Sequence, residues 1–286
     1  MAKTAQSSPG KGAYGVCKLT KQSGKFVQAH LIPKALTRPE VRGAPFVETS
    51  SRGRRPKRAW SSWYDNMLVT AEGEAILAEF DNWPIPELRR QKLVWSGWGP
   101  FRVLPPSVDH SEIGDTGWGL RRLKDIDFKK LRLFFLSLLW RAAASEHPGF
   151  AEISLSAEEL DELGSKLVDR DPGPPNYFSI HLNQLSTMGE AHNLTPIAQT
   201  KRIPPIEDVE EHFVPFFRIY LDGLIAHVHP NNEASYDGSK LGPLVLGQEE
   251  FATVATIKYE ASFQRENLQI LQSEAWRAWP ELMTKL

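Results

Sequence analysis

Apolar and polar positions follow strand-like spacing near both ends of the chain and helical spacing between them. Val16 to Leu19 and Phe26 to Ile32 read as two strands joined by a turn over Lys21–Lys25, with Ser23-Gly24 at its tip. Pro33 has no N–H to give a ladder and ends the second strand. Residues 34–59 hold Pro39, Gly43, Pro45, Gly53 and Pro56 and predict a long loop. A helix is expected from Thr70, whose hydroxyl is placed to cap the first free N–H groups. Ile76, Phe80 and Trp83 would form its buried side, and a second short helix, Pro86–Trp95, follows.

Residues 96–122 are rich in Gly, Pro and Trp and predict an irregular connection. The strongest helical run starts at Asp127, a good N-cap. Leu131, Phe134, Phe135, Leu138 and Leu139 nearly encircle its axis, which places it in the core or, near Leu138, against a partner or a second copy of the chain. Ser156 and Glu159 form a capping-box pattern for a helix ending near Val168. Strand-like alternation then returns over Tyr177–Leu185, Val214–Tyr220, Leu224–His229, Leu244–Leu246 and Ala252–Tyr259. Leu221-Asp222-Gly223 is a tight-hairpin signal, because Asp-Gly tolerates positive φ. Ala261–Leu286 predicts a terminal helix with Leu268, Leu271, Trp276 and Trp279 on its apolar positions. These elements sum to an α+β chain: an N-terminal strand-strand-helix unit packed on helices, then an antiparallel sheet and a C-terminal helix. Residues 1–13 read as a disordered tail, 14–95 as the first region, and 96–286 as a helical and sheet region to which no pattern assigns a role.

Composition narrows the function classes. A chain of 286 residues can bury a full core, and its single cysteine excludes an internal disulfide. No apolar run approaches the roughly 20 residues of a membrane span, and MAKTAQSSPGKG lacks the apolar stretch of a signal peptide. A cytoplasmic setting without membrane contact is expected. The net charge of −1 conceals an asymmetry: residues 1–60 carry +11 and the remainder −12. Two readings follow: a basic arm that meets a polyanion, or one that docks on the acidic body of its own chain. Arg52, Arg54, Arg55, Lys57 and Arg58, with Lys34, are the candidate phosphate contacts. Each phosphate neutralised would release counterions and make affinity salt-dependent. Trp60 and Trp63 follow at once, to stack on bases or to anchor the loop.

The chemistry-bearing stretches are Cys17-x-x-Thr20, Ala29-His30-Leu-Ile-Pro33-Lys34, Tyr64-Asp65-Asn66 and Thr70-x-x-Gly73-Glu74. In this order they resemble HNH nucleases, the ββα-metal group. A Cys-x-x-Cys pair, a His-Ile-Ile-Pro strand, an Asn or Asp and a second Cys-x-x-Cys precede a helix in that group. A bacterial and phage-associated subgroup adds a Leu-x-Ser-Leu-x-Trp-Arg helix, similar to Leu136-Ser137-Leu-Leu-Trp140-Arg141. The resemblance covers about residues 14–145. It implies a metal-dependent endonuclease acting on nucleic acid, with DNA the expected substrate and phage-host conflict a setting. His30 would be the general base, and Asp65, Asn66 and Glu74 would hold Mg²⁺ or Mn²⁺.

The departures motivate an alternative. Thr20, Thr70 and Gly73 stand at three of the four zinc-cysteine positions, so no structural zinc is expected. Ala29 offers neither a ligand nor a hydrogen bond. The alternative is a catalytically inactive HNH-like module that binds nucleic acid or protein. His30 would then be a satisfied strand histidine, and Glu74 and Asp81, seven apart on one helical face, a solvated surface. His227 and His229 share a strand face at a spacing zinc can use, but no third ligand is evident in sequence.

Overall fold

The computed structural model describes residues 12–37, 46–50, 54–205, 210–231 and 242–283, with backbone alone at 46–50, 54–58 and 282–283. Residues 1–11 of the expected 1–13 tail and Arg52 lie outside the described residues, as do the side chains of Arg54, Arg55, Lys57 and Arg58. The chain is α+β. Its N-terminal part pairs β1 (Tyr14–Val16) with β2 (Ser23–Lys25) and β3 (Ala29–His30) with β6 (Tyr64–Asp65). The first turn falls earlier than its glycine suggested. Cys17 and Leu19 are buried in it, Lys21 takes φ 59°, and Ser23-Gly24-Lys25 become strand. Burial of the two apolar side chains outweighs the turn preference of Ser-Gly.

Residues 34–59 are not one loop. A single 3-10 turn at Lys34–Leu36 is followed by a hairpin, β4 (Phe46–Ser50) with β5 (Arg54–Ala59). Its register sets Glu48 opposite Lys57, an opposite-charge cross-strand position. The register shifts between Glu48 and Ser50, so Thr49 faces both Arg55 and Pro56. Such a bulge is where a strand accommodates proline, and this is why Pro56 does not forbid the strand.

Helix α1 spans Ala71–Asn82 and buries Gly73, Ile76, Leu77 and Phe80. Thr70 precedes it without a side-chain capping bond, because its methyl packs against Gly24 instead. Helix α2 spans Pro84–Arg90. The expected irregular connection contains two strands, β7 (His110–Glu112) and β8 (Trp118–Leu123). Helix α3 (Phe128–Ala144) begins as expected, with the Asp127 carboxylate accepting from the Lys130 amide. It is buried on every side by its own chain, so the stretch near Leu138 offers no surface to a partner. Helix α4 (Ala157–Asp169) carries the complete Ser156–Glu159 capping box.

Seven strands form the second half's sheet, in the order β10 (Ile197–Ile203), β11 (His212–Leu221), β12 (Leu224–Val228), β9 (Ile180–Leu185), β13 (Ala252–Ile257), β8 and β7. Every pairing is antiparallel except the parallel β13–β9 pair. Asp222 (φ 49°) and Gly223 (φ 91°) make the β11–β12 turn. Leu244–Leu246 is not a strand. Period-two alternation divides the sheet. Phe217, Ile219, Leu221, Ala226 and Val228 join α1, α3 and α4 in the main core. Tyr220, Ile225, Leu185 and Ile257 face the other way, toward Trp95, Trp98 and Tyr259. Helix α5 (Phe263–Ala278), capped by Ser262, and α6 (Pro280–Met283) end the described chain. Among the described residues, no helix is long and apolar enough to cross a membrane.

Candidate functional site

Cys17, Thr20, Thr70 and Gly73, the positions singled out by the sequence resemblance, meet in space. Cys17 is buried, and its sulfur accepts from the Thr20 amide at 3.4 Å. Gly73, in the first turn of α1, lies so close that a Cβ there would stand 2.7 Å from the Cys17 sulfur. Burial pushes the Cys17 thiol up, but hydrogen bonds from Thr20 and from the Thr70 and Leu19 backbone outweigh it, and the net direction is down. Lys18 N–H to Leu68 O and Val27 N–H to Val69 O tie the two halves of this knuckle together. Packing and backbone hydrogen bonds fill the space between the four positions.

His30 stands where β3 meets β6, directly opposite Tyr64, while Ala29 stands opposite Asp65. Opposite residues in an antiparallel pair share a face, and neighbours alternate. Asp65 therefore points away from His30. Its carboxylate accepts from the Met67 amide and from the Ser145 hydroxyl at 2.7 Å, where it secures the end of α3. Asn66 lies beside it, half-buried. The His30 ring is half-buried, with Nε2 3.5 Å from the Ser61 hydroxyl. Burial first, then the charges of Lys34 and Arg141, hold its pKa below the usual value; Asp81 acts in the opposite sense.

The side chain that organises this pocket of charge is Arg141, from the last turn of α3. It is 1% exposed. Its guanidinium donates to both Asp81 oxygens at 2.9 and 3.0 Å, to the Leu77 carbonyl at 2.9 Å and to the His30 carbonyl at 3.3 Å. Glu74 lies in the same field. Burial raises its pKa to about 7, against the lowering effect of Arg141 and with the raising effect of Asp81. One Glu74 oxygen, Oε2, is buried with no hydrogen-bond partner.

The expected metal ligands are therefore divided. Asp65 is committed to the Met67 amide and the Ser145 hydroxyl, and Asp81 is held by the Arg141 guanidinium. Glu74 keeps a buried oxygen, Oε2, without a hydrogen-bond partner. Among the described residues, no three His, Cys, Asp or Glu side chains converge as a metal site. The decisive residue was visible in the sequence only as part of the Trp140-Arg141 motif. Its pairing with Asp81 joins helices 60 residues apart, and no local spacing encodes that.

Around His30 the surface is aromatic and basic. Trp60 is 71% exposed and Tyr64, on the His30 face, 42%. Trp63 is buried against Phe150, rings at 81° and 6.2 Å, and anchors the segment. Lys34 is exposed. Lys18 and Lys21 are engaged by Glu146 and Asp161, so part of the basic N-terminal charge is spent within the chain. Comparison of the chain with family models, with curated proteins and with solved structures finds no match in any of the three.

Proposed function

We propose that the region around residues 14–95 is a nucleic-acid-binding module of HNH-like layout in which the Arg141 guanidinium takes the place of a divalent cation, so that the unit binds without cutting. The observation that carries this reading is the bidentate Arg141–Asp81 pair, reaching to the His30 carbonyl. A guanidinium there, bonded to both carboxylate oxygens, satisfies the acid that a metal would otherwise need. Exposed Trp60 and Tyr64 supply ring faces for bases, and the basic sequence of β5 supplies phosphate contacts.

The test is DNA binding by anisotropy across a salt series, beside plasmid cleavage with Mg²⁺ or Mn²⁺. Binding is expected to weaken steeply with salt. Changing Arg54, Arg55 and Arg58 to Ala should reduce the log–log salt slope by about 3. Trp60→Ala should cost roughly 1–3 kcal/mol of single-strand affinity. Binding that ignores salt, or is absent, overturns the proposal.

One observation favours a second reading, a metal-dependent endonuclease. His30 and Glu74 both lie near Arg141 and Asp81, and burial raises the Glu74 pKa to about 7, where a carboxyl can exchange protons. Divalent-dependent cleavage that His30→Ala abolishes would establish that reading in place of the first. No cleavage, or cleavage the variant retains, removes it.

A further inference from the structure

The end of α1, the start of α2, the start of α3 and the C-cap of α4 meet around a cavity of about 360 Å³. Trp83 is the single residue between α1 and α2, and Pro84 at the head of α2 keeps α1 from running on. Phe80, Trp83, Pro84 and Leu133 give the cavity apolar walls. Phe80 and Leu133 also belong to the main core, which fixes their position.

The rim is charged, and most of its charges pair with one another. Arg170 donates to both Glu79 oxygens, at 3.0 and 3.1 Å. The Lys130 ammonium lies 3.3 Å from an Asp127 oxygen and 5.1 Å from the centre of the Trp83 ring. Lys129, exposed beside them, makes no ion pair or side-chain hydrogen bond among the described residues. Three cations therefore share the rim with two acids, and the cation left over is Lys129.

We propose that this cavity binds a small, flat, apolar molecule carrying one acidic group, such as an aromatic carboxylate. Its volume falls within the roughly 300–1,000 Å³ of small-molecule sites, and apolar walls with a few polar groups are what such sites present. The ring system of the ligand lies against Trp83 and Leu133, and its acid faces Lys129. The charge of the rim selects the sign. A cationic ligand would have to displace Arg170 from Glu79 or Lys130 from Asp127, whereas an acid displaces nothing.

The test is calorimetric titration of the full chain with naphthoate, beside naphthalenemethanol, naphthylmethylamine and N-acetyltryptophanamide. Naphthoate is expected to bind about fivefold tighter than the alcohol, the size of one exposed charge pair, and the amine to bind weakest. Lys129→Glu should abolish the preference for the acid and leave the alcohol unchanged. Trp83→Leu should weaken acid and alcohol alike, by about tenfold. Lys129 is exposed and bonded to no other side chain, so its substitution reports on the site whatever Trp83→Leu does to folding. No binding of naphthoate, an alcohol or amine that binds as tightly, or an acid preference that K129E retains would overturn the assignment. Tighter binding of N-acetyltryptophanamide than of naphthoate would also overturn it, and would give the cavity to an aromatic side chain of a protein partner.

Discussion

Arg141 and Arg218 are both arginines with almost no exposed surface, and the molecule treats them in opposite ways. Arg141 is met by a carboxylate at two points and by two carbonyls. Arg218 shares its sheet face with three imidazoles and another cation. The first arrangement is electrically closed and can serve as structure. The second is a row of imidazoles and a guanidinium on the outer face of the sheet. The difference bears on where function is sought: a resemblance in sequence led to the first site, while the sequence showed only the His227 and His229 pair of the second.

The sharpest break of this comparison is to remove each arginine. Arg141→Leu should destabilise the fold by roughly 3–5 kcal/mol, because Asp81 would keep its charge in a half-buried place without its partner. Urea unfolding gives the value. The double variant with Asp81→Asn should recover part of the loss, since the stranded charge is then gone. If Arg141→Leu costs no more than Arg218→Met, the two sites do not differ in the way described.

How much of this was legible beforehand follows from the range of the interactions. The α3 core helix, its Asp127 cap, the Ser156–Glu159 capping box and the Asp222-Gly223 turn rest on residues within four positions of one another, and each formed as its pattern predicts. The α+β class follows from them. β8 was missed because its place comes from a distant partner, β13, some 130 residues on, and only that register explains Trp118–Leu123; β7 and β10, also missed, pair with their neighbours β8 and β11. The β4–β5 hairpin was hidden by Pro56, which a bulge accommodates. In the candidate site, His30, Glu74 and Asp81 could be named from spacing, but not the residue that joins them. The third histidine beside His227 and His229 is His181, 46 positions earlier than His227; it arrives only through the β9–β12 register.

Acid should separate the two regions next. Burial first, then neighbouring positive charges, lower His181 and His227 to about 3; burial and Lys201 lower His229 to about 4, against a hydrogen bond to the Pro215 carbonyl. Groups depressed in the folded state add stability above their unfolded value near 6.5 and lose it as pH falls through the folded values. Glu74 works in the reverse sense. Its folded value near 7 lies above the unfolded 4.5, so its contribution is full below 4.5 and is lost as pH rises toward 7. Three histidines outweigh one glutamate, so stability should fall from pH 6.5 to pH 4. Glu74→Gln should leave that acid limb in place and raise stability at pH 8 by roughly 1–2 kcal/mol, a range discounted for the partial solvent access of the carboxyl. An acid limb that survives replacement of His181 and His227 by Gln would detach it from the outer sheet face.

The smallest effect tests whether the knuckle is held by packing. A Cβ at Gly73 would stand 2.7 Å from the Cys17 sulfur and 2.9 Å from Val69 Cβ. Overpacking of this kind costs roughly 1–3 kcal/mol, while alanine returns about 1 kcal/mol of helix propensity in α1. Gly73→Ala should therefore lower stability by about 1 kcal/mol. Combined with Cys17→Ala, which opens the space the new methyl needs, the loss should be smaller than the sum of the single changes. That non-additivity is the mark of two side chains in contact. Additive losses would mean that the four knuckle positions are neighbours in the fold without supporting one another, and the closed character of the first region would then rest on Arg141 alone.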